Sequence, residues 1–467
     1  MRAGLLRPLL GLALPVLSSL AVGLMPAPAG LSPEGQRVLA VIVLAIGLWG
    51  TEALPPAVTA MVAIVALVLS GAVPGVREGL AGFADPIAYF LIGVLTIGLA
   101  VSRSGLAERA AHRLVRHGRG EPGRLYVQLL LSFPLLTLML PSATTRTGIL
   151  VHVYDQALRR SGLAPRAPLA RAVMLALNSV NRLSSTVILT GGITPVVAAG
   201  LMVSLGARLS WSRWFVLMAV PYAVLLGAAG LVIALRYWRG FGTRMAVPPP
   251  AARVPLSAIE VRAAIITAGA SLLWLGDAWH HWHPTLPALL AWVCLLAPGI
   301  GVLGWRDFER GVGWTNFFVI ASSLSLAQAL GQTGASAWLA GHVAGAARAV
   351  SGDPVMVIAV LLVSAAGVRL LIPNITGFLA TTIPVAMSVG IATGVNPLVC
   401  GLVVTIAGDA VLYYPAQSAS SLVVYERGHL SAGEIFAFGL VMTVLAGVVV
   451  LAVALPYWAL VGEPLLR

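Results

Sequence analysis

Stretches of about 20 apolar residues recur from one end of the chain to the other, separated by short polar breaks. A helix of that length crosses the roughly 30 Å of hydrocarbon in a bilayer while satisfying its own backbone hydrogen bonds. Of 467 residues, 59% are hydrophobic and 10% charged, a balance that a domain bathed in water does not carry. The chain therefore reads as an all-α polytopic membrane protein whose principal solvent is lipid, without a soluble appendage.

Apolar runs and Gly/Pro punctuation place helices near 9–27, 37–54, 56–73 and 85–102. The segment 124–158 is interrupted by Pro141-Ser142-Ala143-Thr144, the pattern of a re-entrant hairpin. A helix near 169–203 breaks around Thr190-Gly191-Gly192-Ile193-Thr194-Pro195, and another near 213–235 closes the first half. Beyond a polar link, helices near 261–279, 285–303 and 315–331 precede an interrupted segment at 354–390, a broken helix at 396–425 and a last helix at 433–457. The expectation is about 11 transmembrane helices.

The two halves share letters as well as order. Tyr89-Phe90-Leu91-Ile92 through Gly105 matches Phe318-Val319-Ile320-Ala321 through Gly334 at an offset of 229 (334 − 105). Pro141-Ser142-Ala143-Thr144 matches Pro373-Asn374-Ile375-Thr376 at 232 (373 − 141), and Leu209-Ser210 matches Leu430-Ser431 at 221 (430 − 209). An odd number of crossings per half turns the second half upside down, which makes the pair an inverted repeat. The expected organisation is an N-terminal helix and loop at 1–36, a first inverted repeat at 37–235, a cytoplasmic linker at 236–260 with Pro248-Pro249-Pro250, and a second repeat at 261–467. The start, with Arg2, Arg7 and Ala27-Pro28-Ala29, reads as a retained helix rather than a cleaved signal peptide.

The net charge of +13 comes from arginine set against 16 acids, with no lysine. A cytoplasmic amino terminus puts 20 of the 29 arginines inside, including the run Arg103 to Arg124, so the charge is a topology signal and no nucleic-acid partner is needed. The expected location is a cell inner membrane, with the C-terminus periplasmic. Cys294 and Cys400 lie in apolar stretches and suggest no disulfide framework. Asp277-Ala278-Trp279-His280-His281-Trp282-His283 crowds imidazoles together, but it sits at a helix end in the headgroup zone and no second cluster supplies ligands, so no metal site is expected.

Inverted repeats with interrupted helices are the mark of secondary transporters, because unwound backbone at mid-membrane exposes amides for anions and carbonyls for cations. In the first half the candidates are Ser142, Thr144 and Thr145 at the hairpin tip, with Gly191, Gly192 and Thr194 at the break. In the second half they are Asn374 and Thr376, with Asp409, Gln417 and Ser418 along the broken helix. Arg146 and Arg369 each lie about one helical turn from a tip. They could bind the anion or form an ion pair with Asp409 or Glu52, and Arg146 could stand in for a lost sodium ion; Asp409 is also a candidate proton carrier.

Thr51-Glu52-Ala53-Leu54-Pro55-Pro56-Ala57-Val58-Thr59-Ala60, Gly192-Ile193-Thr194-Pro195 and Thr381-Thr382-Ile383-Pro384-Val385-Ala386 resemble, in order, stretches of the divalent-anion/sodium symporter family, which includes the INDY-type dicarboxylate, citrate and sulfate carriers. The resemblance covers nearly the whole chain. It implies a homodimer whose mobile transport domains enclose sodium ions and a carboxylate or sulfate between two hairpin tips and two broken helices, moved by an elevator-like motion. No cofactor is implied, with sodium as the candidate coupling ion. The family's Ser-Asn-Thr at each tip is replaced here by Ser142-Ala143-Thr144 and Asn374-Ile375-Thr376, and its Pro-Pro-Asn at the second break by Ala416-Gln417-Ser418-Ala419.

The function expected is thus secondary transport of small anions, coupled to sodium or protons or working by exchange. The alternatives are an ion antiporter or arsenite-type permease of related architecture, and an anion channel. Neither His-Glu-x-x-His nor Gly-x-Ser-x-Gly occurs, and no enzymatic activity is expected.

Overall fold

The computed structural model describes residues 2–117, 120–140, 142–243, 245, 255–350 and 353–466. Pro141 and the Pro248-Pro249-Pro250 part of the linker lie outside the described residues. Helices make up the fold, and no strand is present among the described residues. The first half contains α1 (Arg2–Leu24), α2 (Pro33–Thr51), α3 (Pro56–Leu69), the single turn α4 (Val76–Gly79), α5 (Pro86–Arg103) and α6 (Leu106–His117). It continues with α7 (Pro122–Met139), α8 (Ala143–Arg160), α9 (Pro168–Leu175), α10 (Asn181–Val187), α11 (Ile193–Ser204) and α12 (Trp211–Arg236).

The second half opens with α13 (Ala258–Leu275), the short α14 (Asp277–His280), α15 (Thr285–Leu296) and α16 (Trp305–Gly311). It goes on through α17 (Trp314–Gln332), α18 (Ala335–Val350), α19 (Pro354–Leu371), α20 (Ile375–Thr393), α21 (Pro397–Asp409), α22 (Ala419–Tyr425), α23 (Ala432–Val449) and α24 (Leu455–Leu460). Seven helices among the described residues are at least 18 residues long and apolar enough to cross a membrane, α23 and α24 counting as one continuous run through a π turn. Shorter apolar helices such as α3, α11, α15 and α21 accompany them.

The helix starts are set by local chemistry. Ser32, Asp85, Ser142, Ser210, Ser257, Asp353, Asn374, Asn396 and Ser431 each accept a backbone N–H from the first turn that follows them, satisfying a donor that has no partner within the helix. Several are followed by a proline whose missing N–H costs nothing at that position. Residues matched between the halves hold the same structural posts. Gly105 and Gly334 both take positive φ, +84° and +74°, and each turns the chain from a long helix into a surface helix, α6 or α18. Ser142 and Asn374 cap the returning hairpin helices, and Ser210 and Ser431 cap α12 and α23.

Three differences from the sequence reading have simple causes. The run Arg103 to Arg124, expected as a loop, contains the helix α6, whose strong amphipathicity keeps it from registering as a long apolar run, and the 16-residue α18 was not anticipated. The helix expected at 285–303 stops at Leu296 because Pro298 follows and Gly299 takes φ +84°. The helix expected at 169–203 is interrupted between Val187 and Ile193, around the break the sequence placed there, and also carries a π turn at Ala176–Val180 that the sequence reading did not place.

Packing crosses the two halves. The returning arm α8 of the first hairpin lies against α10 of its own half and α22 of the other. The second hairpin, α19 and α20, lies against α21 of its own half and α11 of the first. The buried core continues through these elements and includes Phe133, Tyr154, Trp214, Phe378 and Trp458. A separate cluster joins α2, α3 and α17.

Candidate functional site

At the first hairpin, α7 ends at Met139 and α8 begins after Ser142. Ser142 Oγ accepts from the Thr145 backbone N–H at 3.2 Å and from Thr145 Oγ1 at 3.0 Å. Thr144 is exposed, while Ser142 and Thr145 are half-buried. At the second hairpin, Asn374 Oδ1 accepts from the N–H groups of Thr376 at 2.8 Å and Gly377 at 3.4 Å. Thr376 itself is buried. A Cβ on Gly377 would lie 2.9 Å from Trp49 Cε3, so this tip is seated on the end of α2, next to the Thr51-Glu52 stretch.

The breaks are tighter. Gly191 donates its N–H to Ile188 O at 2.8 Å, and a Cβ there would sit 2.2 Å from Ser185 O, so the chain folds back on α10 at a distance that only glycine permits. Gly192, with extended backbone, precedes α11, and Thr194 is buried in that helix's first turn, where Pro195 needs no N–H partner. At the second break Gln417 Oε1 accepts from Tyr413 N–H at 2.6 Å, and its Nε2 donates to Arg369 O at 2.9 Å. Gln417 is therefore a brace between the break and the second hairpin. Ser418 Oγ and Ser420 Oγ are 2.8 Å apart, and Ser421 Oγ donates to Asn178 Oδ1 at 2.6 Å, tying α22 to the π turn of the first half.

Three arginines are buried among these elements, each held by partners of its own. Arg146 is wholly buried; its guanidinium donates to Asn181 Oδ1 at 3.0 Å, Asn181 O at 3.1 Å, Ser185 Oγ at 2.6 Å, Leu140 O at 2.5 Å and Gly191 O at 3.4 Å. Five N–H groups meet five oxygens, which leaves none for an anion. Arg369, 1% exposed, donates to Gly408 O at 3.1 Å, Ile372 O at 2.6 Å and Pro373 O at 2.7 Å, and its guanidinium lies 5.9 Å from the centre of the Phe378 ring. Neither arginine pairs with a carboxylate among the described residues.

Both are cations enclosed by uncharged oxygen, much of it from the last carbonyls of a helix or the turn beyond, where the backbone dipole is negative. The ion pair with Asp409 belongs instead to Arg182, whose Nη1 is 2.6 Å from Asp409 Oδ1 and whose Nη2 donates to Asp409 O. Asp409 Oδ2 accepts from Thr186 Oγ1 at 2.7 Å and from Tyr222 Oη at 3.1 Å. The alternative of an ion pair between Arg146 or Arg369 and Asp409 or Glu52 is thus not what the structure shows: Glu52 forms no ion pair among the described residues, and Asp409 joins α10 to α21 across the two halves.

Sequence reasoning did not single out Asn181, Ser185, Thr186, Tyr222, Asn178 or Ser421. A signal for most of them existed, since Asn178-Ser179, Asn181-Arg182 and Ser184-Ser185-Thr186 crowd polar residues into one short, otherwise apolar stretch. The imidazoles near Asp277 hold ordinary partners, His280 Nε2 against Leu273 O at 2.7 Å and His283 Nδ1 accepting Thr285 N–H at 3.3 Å. No metal-binding cluster of His, Cys, Asp or Glu occurs among the described residues.

Two hairpins and two interrupted helices, interleaved across a helical membrane protein around buried charge, define a transport protein and not an enzyme. The chain belongs to the sodium:sulfate symporter transmembrane region family, which matches residues 7–463. It is 23% identical over 476 residues to a membrane protein of Cupriavidus necator, covering 97% of this chain and 93% of that one. It is 25% identical over 467 residues to the L-tartrate/succinate antiporter of Escherichia coli, covering 91% of this chain and 93% of that protein. Among solved structures, the YdaH transporter of Alcanivorax borkumensis superposes with a TM-score of 0.59 over 83% of this chain and 88% of that chain, at 16% identity, a likeness of fold.

Proposed function

We propose that the protein exchanges small dicarboxylates across the membrane without sodium, using Arg146 and Arg369 as built-in cations. The observation that carries this reading is the enclosure of both guanidinium groups by carbonyl and amide oxygens at the hairpin ends and helix breaks. Convergent oxygens of this kind suit a dehydrated cation, and here a tethered one already fills each place. A cation that cannot leave with the passenger supplies positive charge in both access states but transports none of it. Such a carrier has no ion gradient to draw on, so an outgoing anion must return the site. The antiport named for the Escherichia coli relative is consistent with this logic.

In this reading the anion sits between the tips, on the N-terminal ends of α8 and α20, with Ser142, Thr144, Thr145 and Asn374 as its nearest side chains and Ser418 and Thr194 beside it. Two inverted repeats, an arginine-rich face toward the cytoplasm and an elevator-like movement of the hairpin domain complete the proposal. Asp409 is less suited to carry a proton, because three side-chain donors, from Arg182, Thr186 and Tyr222, already hold its carboxylate in place.

The test is uptake of labelled succinate, tartrate and sulfate by the purified protein in liposomes, empty or preloaded with unlabelled anion, in sodium or choline medium. Uptake that needs internal anion and ignores sodium is the expected result. Sodium-driven accumulation in empty liposomes would refute exchange.

A further inference from the structure

The three buried arginines form one line, joined through the residues that hold them. Arg146 donates to Asn181 O and Asn181 Oδ1; Arg182 follows Asn181 in the chain and pairs with Asp409; Arg369 donates to the carbonyl of Gly408, the residue before Asp409. Arg182 and Asp409 both act electrostatically on Arg369. The line runs from the first hairpin, where Arg146 meets Leu140 O, through both interrupted helices to the second, where Arg369 meets Ile372 O and Pro373 O.

Its charge can be counted. Arg146, Arg182 and Arg369 each carry one positive charge, because a guanidinium keeps its proton inside a protein. Among the described residues the carboxylate on this line is that of Asp409, fully buried, with Oδ1 on Arg182 and Oδ2 receiving the hydroxyls of Thr186 and Tyr222. Other acids with little exposure have partners elsewhere: Asp155 holds Arg159 and His429, Glu260 holds Arg109, Glu463 holds Arg213, and Asp277 meets the first turn of α12. Three guanidinium charges less one carboxylate leave an excess of two.

That excess bears on movement. Carbonyl dipoles can solvate a fixed charge where it rests, but carrying an uncompensated charge past the bilayer centre is opposed by desolvation. A passenger of equal and opposite charge removes the opposition. We propose that Asp409 sets the charge of the passenger: by cancelling one arginine of three it leaves a core that a dianion makes neutral, whereas an empty core, a monoanion or a trianion leaves it charged. Asp409 acts through the summed charge and not by touching the anion. The inference rests on the exchange reading above and supplies a reason for it, since an unloaded core stays charged and does not return empty.

The experiment is exchange by the purified full chain in liposomes preloaded with the same anion, with and without a membrane potential set by potassium and valinomycin. The passengers are succinate, its monomethyl ester and tricarballylate, a dianion, a monoanion and a trianion at about pH 8. In the parent, succinate exchange is expected to ignore the potential, while exchange of the ester and of tricarballylate slows about threefold, because a loaded core with one net charge is driven toward one face. This pattern tests the charge count without any variant. In D409N the core gains one positive charge, so succinate exchange should slow about threefold and tricarballylate exchange become indifferent. Asparagine keeps the shape of the site, its carbonyl oxygen facing Arg182 and its amide donating to the Thr186 and Tyr222 hydroxyls, which turn to accept. R182Q/D409N, which removes both charges, should return to the parent pattern. A purely structural role for Asp409 would lower all rates together and leave the same passenger indifferent to the potential. Succinate exchange slowed by the potential in the parent, or still indifferent to it in D409N, would overturn the proposal and leave exchange standing. Sodium-driven uptake into empty liposomes would instead refute exchange, and the proposal with it.

Discussion

Replacing Arg146 by alanine removes a guanidinium from a site where every neighbour was arranged around it. Four oxygens within 3.1 Å lose their donor: Leu140 O, Asn181 O, Asn181 Oδ1 and Ser185 Oγ. A buried polar group left without a partner costs about 1–3 kcal/mol, and partial relaxation or an entering water recovers some of that. A net loss of about 4 kcal/mol follows, close to a thousandfold in the folding equilibrium. The space vacated is lined by those same oxygens, which are suitable ligands for a small cation. In detergent, followed by tryptophan fluorescence, R146A is therefore expected to unfold well below the parent in choline chloride and to recover part of the difference in sodium chloride, while the parent is indifferent to the exchange of salts. The companion R146Q, which keeps an amide to meet some of the oxygens, should fall between them. Parent and R146A unfolding at the same temperature in choline would show that the cage is not stabilising. A sodium shift in the parent as large as in the variant would show that sodium binds elsewhere.

Other expectations follow from the same geometry. In the Arg182–Asp409 pair, R182M and D409L should each lose about 3–5 kcal/mol and the double variant much less than their combined loss, because each single change strands a buried charge; additive losses in a thermal double-mutant cycle would contradict the pairing. A Cβ on Gly408 would meet Phe378 Cε1 at 2.0 Å, so G408A should abolish folding or transport and F378L should restore part of it; a fully active G408A would refute the close contact. At Asp277, burial raises the carboxyl pKa, but hydrogen bonds from Ser212, with help from Ser210 and Trp211, outweigh it and leave the group below its ordinary value. Its contribution is therefore present above the ordinary carboxylate range and lost as pH falls through the lowered value. D277N should be less heat-stable than the parent at neutral pH and converge with it in acid; a gap that stays constant down to low pH would refute the assignment.

Much of the architecture could be read without coordinates because it depends on short-range chemistry. Length and apolarity of a segment decide whether it can lie in lipid, and a Ser, Asn or Asp before a proline or an apolar run marks where a helix begins; Ser142, Ser210, Asn374 and Ser431 behave as their spacing suggests. The helix α6 escaped that reading because an amphipathic helix needs only one apolar face, and its charged residues give it the mean composition of a loop.

What the sequence alone determined is a polytopic helical protein with two similarly ordered halves, interrupted helices and two arginines, Arg146 and Arg369, beside the hairpin tips. Which partner each arginine takes was decided only in three dimensions, because Arg146 and Asn181, or Arg182 and Asp409, stand 35 and 227 positions apart and meet through the crossing of hairpins and broken helices. Backbone carbonyls carry no letter of their own. A cage made largely from them, such as that around Arg146 or Arg369, exists only once the chain is unwound and folded back upon a neighbouring helix.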